Sequence, residues 1–376
     1  MRVLIFILVL ILILITVTQL FFRDRIDLVA EITKLVKGKS EEESYREVAE
    51  FPEPPYVQNP HTALWAQDLS KQKQLVPLYK AGGRKGSDGR LRFYIPADLA
   101  ADSSGNVYVL DKGYGRIVQI GPDGKFVRYI YYRQDSQTPF QKPYLLTIDR
   151  QNRFYIVDDL NRLIIFKDDR EEKKIDLSFR PYDLCVDQRG YIYFLTPSEP
   201  FRLHKFSPRG KEILAFSPQE KSEKSLWEVF SRGFIAVDGD TLYYSQEYPY
   251  RIIKYNPDGV PVLVFNRDLG ILVTPPTIHR DGFGKVVSVN RQQMTFDIKV
   301  MPDGLILNLT KTRGGKGGDI LDVFDRKGQY VLSIYLGKNY TRMTLVGSNG
   351  IALIRPYPFE QVERYEMKSL FAQTKK

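Results

Sequence analysis

One segment recurs along this chain, and the recurrence restricts the fold more than any other feature of its 376 residues. Residues 93–126, FYIPADLAADSSGNVYVLDKGYGRIVQIGPDGKF, hold an apolar run to Ala101, a turn at 102–105 and a Val- and Tyr-rich run at 106–110. A second turn at 111–115, a third run at 116–120 and the strong turn Gly-Pro-Asp-Gly at 121–124 complete the unit. β-Branched and aromatic residues fit a pleated surface, while Gly, Pro, Asn and Asp supply turn chemistry. The same order returns at 143–166, 181–210 and 233–259, and in weaker form at 296–328 and 342–365. Aligned on the first turn at Asp102, Asp149, Asp187, Asp238, Met301 and Gly347, the copies stand roughly 40 to 60 residues apart, a spacing that with short strands predicts a β-propeller rather than a helical solenoid. One such meander cannot bury both of its faces, so the copies have to pack on each other.

Each three-strand copy needs an outer fourth strand. Residues 127–132, 173–177, 212–216, 260–265 and 330–335 supply five of these, and only a charged tail follows the sixth copy. The missing strand stands in front of the first copy, at 74–80 (QLVPLYK). The predicted fold is therefore all-β: a six-bladed propeller over 74–367, closed by an N-terminal outer strand that removes an open edge and buries Leu75, Val76 and Leu78.

The run from Pro96 to Ile117, P-x-D-L-A-x-D-x-x-G-N-V-Y-V-x-D-x-x-x-x-R-I, resembles an NHL repeat. Arg116, Arg162, Arg202 and Arg251 match the family's arginine at the start of the third strand. Asp111 and Asp158 match the acidic residue before it, and Thr196 and Ser245 depart from it. The resemblance covers about residues 74–366, strongly in four copies and weakly in two. It implies a binding or scaffold propeller. A relative, the peptidylglycine amidating lyase, builds a zinc site from channel histidines; His61, His204 and His279 are the only histidines here and fall at unmatched repeat positions, so that activity is rejected. Gluconolactonase-like propellers hold one metal on channel Glu, Asn and Asp, and the residue types of this chain match theirs only in part.

In front of the propeller, residues 3–22 carry no charge, enough to cross a bilayer as a helix. Thr16, Val17, Thr18 and Gln19 make a poor cleavage site, so 1–22 is predicted to be an uncleaved transmembrane signal-anchor. Arg2 precedes the span while Arg23, Arg25, Lys34, Lys37 and Lys39 follow it, which by the basic-residue count favours a cytoplasmic propeller. Large domains translocate regardless of that count, and the resemblance implies an extracytoplasmic propeller, which is the placement expected. Ile26, Val29, Ile32, Leu35 and Val36 recur at helical spacing, and Ser40 with Glu43 forms a capping box, so 23–51 is read as a helical juxtamembrane stalk. A proline-interrupted linker (52–73) and a basic tail (368–376) flank the propeller. The single Cys185 leaves no internal disulfide,.

Two stretches break the repeat: 266–295, long enough for an extra hairpin, and 217–231, which reads as a short helix around Leu226 and Trp227. The run TRGGKGG at 312–318 lacks phosphate-loop order and reads as a blade turn,.

Four residues before the turn markers stand Asp98, Leu145, Asp183, Phe234, Asp297 and Met343, so acidic and apolar residues alternate around the ring. The position opens the innermost strand at one mouth of the channel. Three carboxylates from alternate blades can converge there and hold Ca2+ or Mg2+ through oxygen, which makes Asp98, Asp183 and Asp297 candidate metal ligands. Lys299 can instead neutralise them, and each Asp can instead cap its own turn. No Ser-His-Asp, Cys-His or metal-spaced cluster is present. The net charge of +10 and pI near 9.3 favour an acidic protein, an anionic ligand or a lipid surface as partner; a membrane anchor argues against nucleic acid. Two functions follow: a membrane-tethered, non-catalytic propeller binding a protein or extracytoplasmic ligand, or a lyase- or lactone-hydrolase-type propeller enzyme with a divalent cation in its channel.

Overall fold

The computed structural model describes residues 45–59, 75–83, 89–133, 137, 139–219, 231–269, 275–311, 317–356, 358 and 360–367. The predicted signal-anchor, most of the stalk and linker, the 312–316 run, the core of 217–231 and the basic tail lie outside them. Among the described residues no helix is long and apolar enough to cross a membrane.

Six four-stranded antiparallel meanders follow one another, each running from the central channel outward. Blade 1 is Pro96–Ala101, Val107–Asp111, Arg116–Ile120 and Phe126–Ile130. Blade 2 is Leu145–Ile148, Phe154–Val157, Arg162–Lys167 and Arg170–Asp176. Blade 3 is Asp183–Val186, Ile192–Leu195, Phe201–Phe206 and Glu212–Pro218. Blade 4 is Gly233–Asp238, Thr241–Gln246, Arg251–Tyr255 and Pro261–Phe265. Blade 5 is Thr295–Val300, Ile306–Thr310, Gly318–Phe324 and Tyr330–Tyr340. Blade 6 is Arg342–Val346, Gly350–Arg355 and Gln361–Glu366, completed by Pro77–Gly82 from the N-terminal side. Each innermost strand packs on the innermost strand of the next blade, the sixth on the first included. The ring is a closed six-bladed propeller.

The core is divided among the seams. Six apolar clusters form, and each mixes residues of two adjacent blades. This is why no single copy of the repeat could fold alone. The turns repeat as well: the carboxylates of Asp102, Asp149 and Asp187 each accept the hydroxyl of a tyrosine on the following strand, Tyr108, Tyr155 and Tyr193, at 3.0, 3.1 and 3.5 Å. Gly105 adopts φ +84° at the end of the first of these turns, a conformation glycine takes without steric penalty.

The closing strand pairs antiparallel with the third strand of blade 6, Ala81 opposite Val362 and Tyr79 opposite Arg364. It begins and ends slightly later than expected, and its burial differs. Val76 and Leu78 are 78% and 59% exposed, whereas Ala81 is 1% exposed. Side chains alternate along a strand, and the register turns Tyr79 and Ala81, not Leu78, towards the blade 6–blade 1 core. Leu75 packs instead against the blade 5–blade 6 core.

The helical reading of 23–51 does not hold at its C-terminal end. Arg46–Val48 is a strand, parallel to the outer strand of blade 3, with Val48 opposite Phe216. In the linker, Tyr56–Val57 adds in parallel to the outer strand of blade 4. The side chain of Asn59 then donates to the carbonyls of Asn266 and Gly328, both at 2.9 Å, and accepts the N–H of Tyr330 at 2.8 Å. The segment thus straps the outer edges of blades 3, 4 and 5. An open sheet edge offers unpaired N–H and C=O groups that capture a passing chain whatever its intrinsic preference, and Pro52, Pro54 and Pro55 bar a helix from continuing. The expected extra hairpin is present as Thr277–Arg280 and Val286–Asn290, paired antiparallel between blades 4 and 5.

Candidate site at the channel mouth

The innermost strand of each blade has a partner on one side only, so its other edge turns N–H and C=O groups into the channel. The three predicted aspartates answer that need. Asp98 accepts the N–H of Leu99 with Oδ1 and that of Leu146, in blade 2, with Oδ2, both at 2.9 Å. Asp183 accepts the N–H of Ile235, in blade 4, at 2.7 Å. Asp297 accepts the N–H of Ile298 at 2.8 Å and that of Met343, in blade 6, at 2.7 Å. The acidic position of every odd blade is a clip onto the even blade that follows it, which accounts for the alternation.

These bonds also correct the register of the sixth copy. Leu146, Ile235 and Met343 are equivalent, so the residue before them is the ring position, and in blade 6 that residue is Arg342 rather than Met343. Its Nη1 lies 3.5 Å from Asp183 and its Nε 3.9 Å from Asp98, with the guanidinium 4.7 Å from the Phe234 ring centre. Lys299 Nζ lies 2.5 Å from Asp297 Oδ1. The structure therefore brings Asp98, Asp183 and Asp297 together, but around two cations of the protein's own.

The electrostatics follow from burial. Desolvation raises Asp98, against Arg342 and the N–H of Leu146, and raises Asp183 to about 7 against Arg342 and Lys299. Burial alone would lower Lys299 and Arg342, but the three carboxylates outweigh it and raise both. Three acids facing two bases leave the cluster one positive charge short, which is a reason for a carboxyl to hold its proton. Among the described residues no group of three or more His, Cys, Asp or Glu is spaced to hold a metal ion.

Beneath the cluster lies a channel cavity of about 160 Å3, lined in part by Asp98, Asp183, Cys185, Lys299 and Thr344. It continues past Ile148, Val186 and Leu345 into a mouth of about 370 Å3 at the Asp149, Asp187 and Asp238 turns. Burial raises the Cys185 thiol well above its ordinary value, which keeps it a poor nucleophile. Sequence reasoning missed Glu247, which pairs with Arg291 at 3.1 Å and accepts the Tyr182 hydroxyl at 3.4 Å, at the opposite end of the channel from those turns.

The repeat arginines are structural. Arg116 and Arg162 bond Asp111 and Asp158 at 3.3 and 2.8 Å. Where the acid is lost, neutral groups replace it: Arg202 reaches Gln219 and Ser231, both at 3.2 Å, and Arg251 reaches Gln246 at 2.8 Å. The register sets Gln246, not Ser245, opposite Arg251. His204 bonds Glu212 and the carbonyl of Phe201 on the third strand of blade 3, away from the channel.

No family model matches the chain, and no curated protein is similar to it. Solved structures are similar at a distance. A gluconolactonase from Xanthomonas campestris is 15% identical, with 84% of this chain and 97% of that one covered and a TM-score of 0.48. A calcium-binding protein, regucalcin, from Agrobacterium tumefaciens is 12% identical over 78% and 96% of the two chains, with a TM-score of 0.49. The virginiamycin B lyase of Staphylococcus aureus is 14% identical over 73% and 84%, with a TM-score of 0.44. Likeness at this distance assigns no activity.

Proposed function

We propose that the chain is a membrane-tethered, NHL-like propeller that binds a protein or an anionic extracytoplasmic ligand and carries out no chemistry in its channel. The observation behind this reading is the commitment of the channel carboxylates. Asp98 and Asp297 each bond two backbone N–H groups and Asp183 one, while Arg342 and Lys299 stand where a cation would (Lys299 2.5 Å from Asp297). Buried acids used this way hold blades together, and binding is left to the loops at the faces of the ring. The test is metal content. The purified full chain should carry less than stoichiometric Ca2+ or Mg2+, and crosslinking in the native membrane should trap a recurrent partner.

A second reading, a propeller enzyme of lyase or lactone-hydrolase type with a divalent cation, is favoured by one observation. Asp98 and Asp183 border a cavity that holds water-sized groups, about 160 Å3 in volume. It requires Arg342 and Lys299 to withdraw. Stoichiometric metal in the wild-type chain, lost on Asp98→Ala together with Asp183→Ala, would establish it over the first.

A further inference from the structure

The two faces of the ring differ in kind. Turns between first and second strands, and between third and fourth, emerge on one face. Turns between second and third strands and the connections between blades emerge on the other. On the first face the turns themselves expose no large apolar residue among the described ones, and Val76, Val127 and Val262 are exposed where rim strands reach it. On the second, Tyr94, Ile95 and Tyr114 of blade 1 and Leu160 of blade 2 are exposed, and so are Val287 and Phe283, the latter to 98%, on the hairpin of the blade 4–blade 5 connection, which leaves from that face. The other exposed large apolar residues belong to the strap, the closing strand and the outer strands, at the rim.

We propose that this second face docks on an anionic membrane surface. The apolar groups form two stands, one at blades 1 and 2 and the other between blades 4 and 5, on opposite sides of a six-membered ring. Ile95 is held out at a cost, since a β-branched residue is strained at its φ of +60°,. Its carbonyl and that of Tyr94 accept the N–H groups of Lys112 and Gly113, at 3.2 and 2.7 Å, which fixes the pair beside Tyr114. On the hairpin, Arg280 and Lys285 flank Phe283, while the one acid between them, Asp281, turns its carboxylate back onto the N–H groups of Phe283 and Lys285, both at 2.9 Å. Aromatic tips with cations beside them are the chemistry of the headgroup region, and anionic lipids attract the cations.

This rests on the tethered reading for proximity to a bilayer, and the experiment separates the two. Full-length Phe283→Trp protein is mixed with vesicles of phosphatidylcholine and phosphatidylglycerol whose acyl chains are brominated, and flotation is measured first. Docking predicts blue-shifted emission from position 283 (over the background of Trp65 and Trp227) that bromine quenches about twofold or more, with quenching lost in Lys285→Glu or in vesicles lacking phosphatidylglycerol. A chain that floats while its new indole stays open to aqueous iodide overturns docking and leaves the tether standing. An indole shielded from iodide yet unquenched by bromine means that protein covers the face, and also overturns it. Failure to float removes both.

Discussion

The Oδ2 atom of Asp183 accepts the backbone N–H of Ile235 at 2.7 Å, so a side chain of blade 3 satisfies the bare inner edge of blade 4. The channel is lined by such bonds, and its acidic residues are joints between blades before they are anything else.

Substitution of these joints should therefore cost stability. Asp297→Ala leaves the Met343 N–H without its acceptor and takes from Lys299 its nearest carboxylate, and stranding a buried donor costs about 1–3 kcal/mol, more where a charge is involved. Asp98→Ala should cost about 1–3 kcal/mol for each of the two N–H groups it strands. Asparagine at either position should recover part of the loss. Urea unfolding checks this, and an unchanged midpoint for Asp297→Ala would refute the role assigned to it.

Arg342 shares with Lys299 the place beside the carboxylates that a metal would need. In the wild-type chain, millimolar Ca2+ should leave the melting temperature where it was. Arg342→Ala should melt lower without metal and regain part of the difference when Ca2+ is added, because a ligand that binds only the native state stabilises it. A wild-type protein stabilised by Ca2+ would mean that the ion displaces the guanidinium unaided.

Stability should depend on pH in two separate windows. Asp183 titrates near 7 in the folded chain, above its unfolded value of about 4. A group raised in this way contributes fully below about pH 4, and its contribution is lost as pH rises through about 7. Glu363 runs the other way: burial would raise it, but hydrogen bonds from Tyr365, Lys338 and Tyr340 bring it to about 2. Its contribution is present above about pH 4.5 and is lost as pH falls towards 2. Asp183→Asn should flatten the decline between about pH 4 and 7 and spare the acid limb, and Glu363→Gln should do the reverse. Denaturation midpoints across the range decide it.

A chain beginning at Gly83 should be badly destabilised or aggregate. It uncovers Val362 and Tyr365, now 0% and 2% exposed, at roughly 1.5–3 kcal/mol for each large apolar side chain, and it bares a strand edge. A chain beginning at residue 60 keeps the closing strand, loses the strap with everything before it, and should melt between that protein and the intact one. Equal melting of all three would mean that the ring closes without Pro77–Gly82.

The blades were legible because their signals are local: Asp102, Gly105 and Tyr108 each carry a turn or strand preference that tertiary packing does not override. The aspartate ring was legible for the same reason, since Asp98, Asp183 and Asp297 stand at a fixed distance from such turns. Arg342 was not, because the sixth turn has no acid to mark it. Leu345 pairs with Ile351 as Ala101 pairs with Val107, so Val346 stands where Asp102 does, and alignment on Gly347 slipped by one residue. The strap was invisible for another reason. Arg46–Val48 and Tyr56–Val57 are too short to show a period, and they are strands only because sheet edges borrow them.

Blade 6 joins the beginning of the propeller to its end. A ribosome releases Pro77–Gly82 long before Gln361–Glu366, and the early strand has nowhere to go until the late one emerges. Five blades can be stacked during synthesis, yet the seams on both sides of blade 6 stay wet until translation is nearly complete. Premature termination anywhere before residue 361 would therefore leave both a bare blade 1 flank and an orphaned strand. Quality control can recognise such a chain by its stickiness.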